Sequence, residues 1–179
     1  MNLTTERTIL RPFRDEDAAA LYEFSRLHQV ADAAGWLPHK SVEDSLRVIR
    51  TVFHSPHIFA VTDRETGALL GSAGFTGRSR VGCGPDDEMG YSLDPKWWGK
   101  GIMTEVCRRL IRYGFEEMDL SAIWCTHYDG NDRSRRVIEK CGFQKIFSET
   151  LEDDLGAHLT HFYLLLRPAA GEEDTWRNT

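Results

Sequence analysis

The sequence predicts a three-layer α+β domain: a mixed, mostly antiparallel sheet of about seven strands with helices on both faces. Three observations predict it. Short stretches with strand-like alternation or β-branched content recur at 8–12, 57–63, 69–76, 88–93, 123–127, 143–151 and 158–166. Between them, apolar residues at helical spacing mark four helices. The two kinds follow in the order β α α β β β α β α β β, with no repeat and no linker. Residues 1–168 read as one domain and 169–179, with Gly-Glu-Glu-Asp, as a loose tail.

Taken in order, Thr8 to Pro12 is a first strand, and Pro12 suits its end or an edge. Asp15 is expected to cap a helix through about Leu27, with Ala18, Leu21, Tyr22 and Phe24 or Ser25 along one side. Residues 33–39, with Trp36 and His39, read as a loop that plugs the core or touches a ligand. Ser41 and Asp44 open a second helix in the manner of a capping box, and Leu46, Ile49 and Phe53 mark its inner face. Arg64 to Gly67 is a hairpin turn with glycine for a positive φ. Residues 78–87 are a polar loop. Ile102, Val106, Leu110 and Phe115, with Met103 and Cys107 beside them, define a helix running to about Met118. Asn131 to Ser134 opens the last helix, with Val137, Ile138 and Cys141 inward and Gly142 as its left-handed cap. Two strands joined by the acidic loop at 152–154 complete the domain.

Composition narrows the function. The 179 residues carry 22 basic and 28 acidic side chains, a net charge of −6. That disfavours broad nucleic-acid binding and favours cationic partners. No apolar run approaches the ~18 residues of a membrane span, and the N-terminus lacks the apolar region of a signal peptide. Cysteines 83, 107, 125 and 141 form no Cys-x-x-Cys pair and read as reduced, buried thiols in a cytoplasmic protein. His158 and His161 are the nearest approach to a metal pair, but a spacing of three in a strand points them to opposite faces, so no metal is expected.

The chemistry concentrates in Pro95-Lys-Trp-Trp-Gly-Lys-Gly-Ile-Met-Thr-Glu105. This turn joins a strand to a helix, and Gly99 and Gly101 bare its backbone N–H groups. The helix start adds unpaired donors and the positive end of the helix dipole, which makes an anion cradle built from main chain. A turn that merely joins two elements is the alternative. Lys100 lies between the glycines and the nearest hydroxyl is Thr104, so the nucleotide P-loop spacing fails. The Rossmann fingerprint lacks its third glycine.

Four motifs, in order and over nearly the whole chain, resemble the GNAT superfamily of acetyl-coenzyme A-dependent N-acetyltransferases, and within it the RimJ/RimL group that acetylates ribosomal-protein N-termini. They are Glu88 to Leu93 (Glu-x-Gly-Tyr-x-Leu), Trp98 to Met103 (the cofactor turn), Asn131 with Ser134, and Glu139 to Phe143 (Glu-Lys-x-Gly-Phe). Trp98 stands where the wider superfamily has Gln or Arg, and Met103 replaces a small residue.

The resemblance implies a set of roles. Trp98, Gly99, Lys100, Gly101, Ile102, Met103 and Thr104 would bind the coenzyme A pyrophosphate, mainly through backbone. The pantetheine arm would enter where the strand at 88–93 parts from that at 123–127, with Gly90 giving it room. Asn131 would touch that arm, and Ser134 would lie near its sulphur and donate to the departing thiolate. Alternatively Asn131 or Asp132 caps the helix and Ser134 is a satisfied polar group of that helix. Glu88, on the strand face opposite Met89, Tyr91 and Leu93, would be the general base; the other reading is a solvated acid beside Asp86 and Asp87. Trp36, His39, Phe75, His127 and the 152–157 loop would line the acceptor pocket. The expected acceptor is a protein or peptide N-terminal amine, with small-molecule amines next, and members of the group are often homodimers. A coenzyme A-binding module without catalysis and an interaction protein using the same scaffold are the other classes the sequence allows.

Overall fold

A computed structural model describes residues 1–79, 85–153 and 155–169. Cys83, Asp154 and the tail from residue 170 lie outside them. The strands are β1 (Leu3–Thr4), β2 (Thr8–Arg11), β3 (Ile58–Asp63), β4 (Leu69–Phe75), β5 (Asp86–Leu93), β6 (Ala122–Tyr128), β7 (Gln144–Asp153) and β8 (Gly156–Leu166). The helices are α1 (Ala18–Ser25), α2 (His28–Ala34), α3 (Val42–Thr51), α4 (Ile102–Glu116) and α5 (Asp132–Lys140).

The eight strands form one sheet in the order β1-β2-β3-β4-β5-β6-β8-β7. Every neighbouring pair is antiparallel except β5 and β6, which are parallel. A parallel pair needs a long crossover, and α4 supplies it. Ile102, Met103, Val106, Cys107, Leu110, Ile111 and Phe115 bury one stripe of α4 against the strands, in the cluster that also takes Ile138 and Cys141 from the α5 side. On the other side Leu21, Phe24, Val30 and Ile49 from α1, α2 and α3 form a second cluster. Both α1 and α4 pack on β4, giving the three layers.

Two elements went unforeseen. The two-residue β1 pairs with β2 at Leu3–Leu10 and Thr4–Ile9, extending the sheet to eight strands. The stretch at 28–34, which carried no expected element before the loop at 33–39, is α2; it takes in the first two residues of that loop and ends at Gly35 with φ 77°. The first helix is also anchored differently than expected. Asp17, not Asp15, accepts from the Arg14 backbone N–H at 2.8 Å and from Arg11 Nη1 and Nη2, each at 2.7 Å. Asp15 is exposed and pairs with Arg50 instead.

Gly114 in α4 shows how closely that helix lies on the sheet. A Cβ there would fall 2.8 Å from Phe75 Cζ and 3.0 Å from Ile123 Cδ1. Both side chains are fully buried and cannot swing away. Alanine would gain up to about 1 kcal/mol of helix propensity, but overpacking costs about 1–3 kcal/mol. Gly114→Ala is therefore expected to be net destabilising, with a thermal midpoint lowered by roughly 2–6 °C in calorimetry. A midpoint at or above the parent's would mean that α4 has slack.

Candidate active site

The site follows from where β5 and β6 stop pairing. They are hydrogen-bonded only over Asp86–Ala122, Asp87–Ile123 and Glu88–Trp124. Beyond Glu88, β5 pairs with β4 alone, from Met89–Phe75 to Leu93–Gly71, while β6 continues against β8 to Tyr128–Thr160. The two strands therefore open into a wedge at their C-terminal ends, as expected. A Cβ at Gly90 would touch only the Thr76 methyl, at 3.6 Å. The protein's own packing does not require glycine there.

Glu88 sits at the apex of the wedge. It is 7% exposed, and its Oε1 accepts from Thr126 Oγ1 at 2.9 Å. The solvated-acid reading is thereby ruled out. Asp87, on the other face, is buried as well and accepts from the backbone N–H of Glu88 at 2.7 Å and of Arg78 at 3.0 Å. Burial raises its pKa, and those backbone donors partly offset the shift.

At the wedge mouth, Pro95–Trp97 make a 3-10 turn and Gly101 caps α4. Gly99 and Gly101 have φ of 73° and 76°, the left-handed region where a Cβ is costly. A Cβ at Gly99 would meet nothing within 4 Å, and one at Gly101 only Arg7 Nη2 at 3.6 Å. Conformation, not crowding, is what demands glycine at both positions. The N–H groups of Ile102, Met103 and Thr104 precede the first bond of α4, from Glu105 N to Gly101 O. The side chains of Ile102 and Met103 are core, so only their main chain faces the turn. Trp98 departs from expectation, because its N–H is used by the Pro95 carbonyl. Its indole N–H donates to Leu93 O at 2.8 Å, and Arg133 lies over its ring at 4.3 Å. It pins the turn rather than offering a donor. Lys100 is exposed, with Nζ 4.5 Å from the Trp97 ring centre.

Beside this turn lies a groove of about 620 Å³ that Gly101 and Thr104 share with Arg7, Arg108, Arg112 and Lys140. Arg7 is held by Glu105, and Arg108 Nε is buried without a partner. The sequence reading followed the apolar stripe of α4 and missed this one. Arginines at 108, 109 and 112 were the available signal.

On the opposite face of β5, Tyr91 reaches Ser134 in the first turn of α5, with the two hydroxyls 2.8 Å apart. Asn131 caps that helix. Its Oδ1 accepts from Ser134 N at 3.2 Å, and its amide nitrogen donates to Ala33 O at 3.4 Å. Both ends of the side chain are thus engaged structurally.

Among the expected acceptor residues, Phe75 is 1% exposed in the main core and cannot line a pocket. His127 projects to the face of β6 opposite Thr126, buried beside Tyr163 and His161, and burial lowers its pKa. His39 Nδ1 lies 2.8 Å from Ser45 Oγ and tethers the start of α3. Trp36 plugs the second cluster, yet its indole N–H is buried without a partner.

No helix of the described residues is long and apolar enough to cross a membrane. Among those residues no group of three or more His, Cys, Asp or Glu side chains is placed to hold a metal ion.

Comparison with known proteins agrees with this geometry. Residues 7–144 match the acetyltransferase (GNAT) domain family. An uncharacterized N-acetyltransferase of Bacillus subtilis (strain 168), YoaA, is 27% identical over 93% of this chain and 97% of its own length. The [ribosomal protein uS5]-alanine N-acetyltransferase of Escherichia coli (strain K12) is 26% identical, covering 81% of this chain and 79% of that one. Among solved structures, a GNAT-family acetyltransferase from Bacillus anthracis superposes with a TM-score of 0.81 at 25% identity, over 93% of this chain and 98% of that one. Mycobacterium smegmatis RimJ in complex with CoA-disulfide shares the fold, with a TM-score of 0.82 at 17% identity, over 98% and 91% of the two chains. The chain belongs to the GNAT family of acetyltransferases and is an acetyl-coenzyme A-dependent acyltransferase.

Proposed function

We propose that the chain acetylates the N-terminal α-amine of a protein or peptide, with Glu88 as general base, Ser134 as donor to the leaving sulphur, and the turn at 99–104 as the pyrophosphate cradle. The observation that carries this is a buried carboxylate at the apex of a wedge whose mouth is lined by free backbone donors. Acetyl-coenzyme A, when bound, supplies the thioester. The chain's own groups do the rest. Backbone N–H groups and the α4 dipole neutralise phosphate charge, and the basic groove beside them offers countercharge to further phosphates of the same molecule. Gly90 leaves the wedge open to a strand-like arm. Glu88 takes the proton the acceptor ammonium must lose, directly or through a water, while Thr126 holds one carboxylate oxygen in place. As the nitrogen bonds to the acetyl carbon, the C–S bond breaks and its electron pair leaves with sulphur.

The acceptor reading draws on three supports. The relative named for ribosomal-protein alanine acetylation covers most of this chain. A net charge of −6 favours a cationic acceptor. An α-amine, with pKa near ~8, yields its proton to a carboxylate more readily than a lysine near ~10.4.

Three outcomes follow. Gly101→Val should remain folded, since its Cβ has room, yet lose coenzyme A affinity about tenfold or more by calorimetry, because the strained residue reorients the cradle N–H groups. Unchanged affinity would remove the cradle assignment. Glu88→Gln keeps an acceptor for Thr126 and should lower kcat by about 10²-fold. The defect should narrow as pH rises past ~8, where the α-amine is already neutral; a parental rate at pH 7 would exclude Glu88 as base. Competing peptides with free α-amines, α-blocked peptides with free lysines, and polyamines should show preference for the first. Activity confined to the polyamines would refute a protein acceptor.

A further inference from the structure

We propose that Tyr91 is a positioning residue that holds the Ser134 hydroxyl so that its single proton faces the wedge and the leaving sulphur. This rests on the role of Ser134 given above. The Tyr91 oxygen lies 2.8 Å from Ser134 Oγ and 3.3 Å from the Ser134 carbonyl oxygen. A phenol has one proton and the contact between the two hydroxyls can run either way; in the proposed arrangement that proton goes to Ser134 Oγ, the shorter contact, and not to the carbonyl at 3.3 Å. A hydroxyl has one proton and two lone pairs. With Tyr91 occupying a lone pair of Ser134, the serine proton is left for a third atom. A serine early in a helix commonly returns that proton to a carbonyl one turn back, but here the hydroxyl meets Tyr91.

The surroundings keep Tyr91 protonated. Its ring packs against the main core, in the cluster that holds Cys107, Cys125 and Cys141. Desolvation there pushes the phenol well above its ordinary pKa, so it stays neutral and protonated. A donor onto Ser134 Oγ polarises the serine O–H and strengthens the bond it makes. The pair works by hydrogen bonding and not by surrendering a proton. A thiol near pKa ~8.5 cannot hold a proton against a phenol above ~10. The sulphur leaves with the C–S electron pair as a thiolate bonded to Ser134, the acceptor's proton goes to Glu88, and the free thiol forms later with a proton from solvent.

The position of Tyr91 separates this role from that of Glu88. Strand alternation puts Tyr91 and Glu88 on opposite faces of β5, so the wedge is served by the base from one side and the serine pair from the other.

A double-mutant cycle tests it, with kcat, KM for acetyl-coenzyme A, calorimetric Kd for coenzyme A and thermal midpoint measured for Tyr91→Phe, Ser134→Ala and the double variant. Ser134→Ala should lose about tenfold or more in kcat, and Tyr91→Phe about three- to tenfold, with KM and Kd unchanged. The Tyr91→Phe loss should vanish in the Ser134→Ala background, because the two act as one unit. A parental Tyr91→Phe beside a slow Ser134→Ala would overturn the Tyr91 role alone. A parental Ser134→Ala would overturn the serine assignment and with it this proposal, leaving the Glu88 test unaffected. Equal Tyr91→Phe losses in both backgrounds, or a protein that no longer binds coenzyme A, would make Tyr91 a support of the fold and overturn the proposal as well.

Discussion

The arrangement depends on one short parallel pairing, Asp86–Glu88 against Ala122–Trp124. Parallel strands cannot be joined by a hairpin, so the chain must cross over, and α4 is that crossover. A crossover helix runs back from the C-terminal end of the strand before it, which sets its N-terminus beside the point where the strands separate. The same topology thus places a row of unpaired N–H groups and a buried carboxylate at one opening. Ligand sites at the carboxyl ends of parallel strands arise from this geometry in open sheets generally. Tight packing at Gly114, with Phe75 and Ile123 beneath it, holds α4 close on the sheet.

The two faces of β5 differ chemically. On one, Glu88 lies with Thr126, Ser72 and Ser92, the serine hydroxyls 2.8 Å apart. This face gathers a buried carboxylate and three hydroxyls. On the other, Tyr91 sits above the core cluster of α4 and α5, where burial pushes the Cys107 and Cys125 thiols up and keeps them neutral. A neutral, desolvated neighbourhood strengthens the hydrogen bond between Tyr91 and Ser134 and adds no competing charge. Alternation along a single strand therefore brings two unlike environments to one opening.

Much of the fold was legible in the sequence. The apolar stripes of α3, α4 and α5 and the alternation of the strands state which side is buried, and burial stabilises in proportion to area. The Ser41 cap and the hairpin at 64–67 formed because their chemistry is local. What was missed has no strong local signal. The α2 stretch is short and rich in alanine, and its turn at Gly35 abuts Tyr128, a residue distant in sequence. Asp17 outcompeted Asp15 because Arg11, on the preceding strand, supplies two donors that no helix-start rule counts. In the site, Phe75 and His127 were placed by proximity to the right strands, but strand alternation and sheet position sent both into packed surroundings.

By itself the sequence determined the backbone devices: glycine where φ must be positive at 99 and 101, a helix beginning immediately after, and an acidic residue opposite the apolar face of β5. These depend on torsion angles and residue spacing, which are local properties. Only the tertiary structure decided which groups are free to act. Trp98 and Asn131 carry suitable donors but spend them on Pro95, Leu93 and Ala33. Arg108, Arg112 and Lys140 meet Arg7 from the far end of the chain, and Tyr91 meets Ser134 across forty-three positions. Hydrogen-bond capacity and charge are exhausted or left open by neighbours distant in sequence, so availability, unlike conformation, emerges only when the chain is folded.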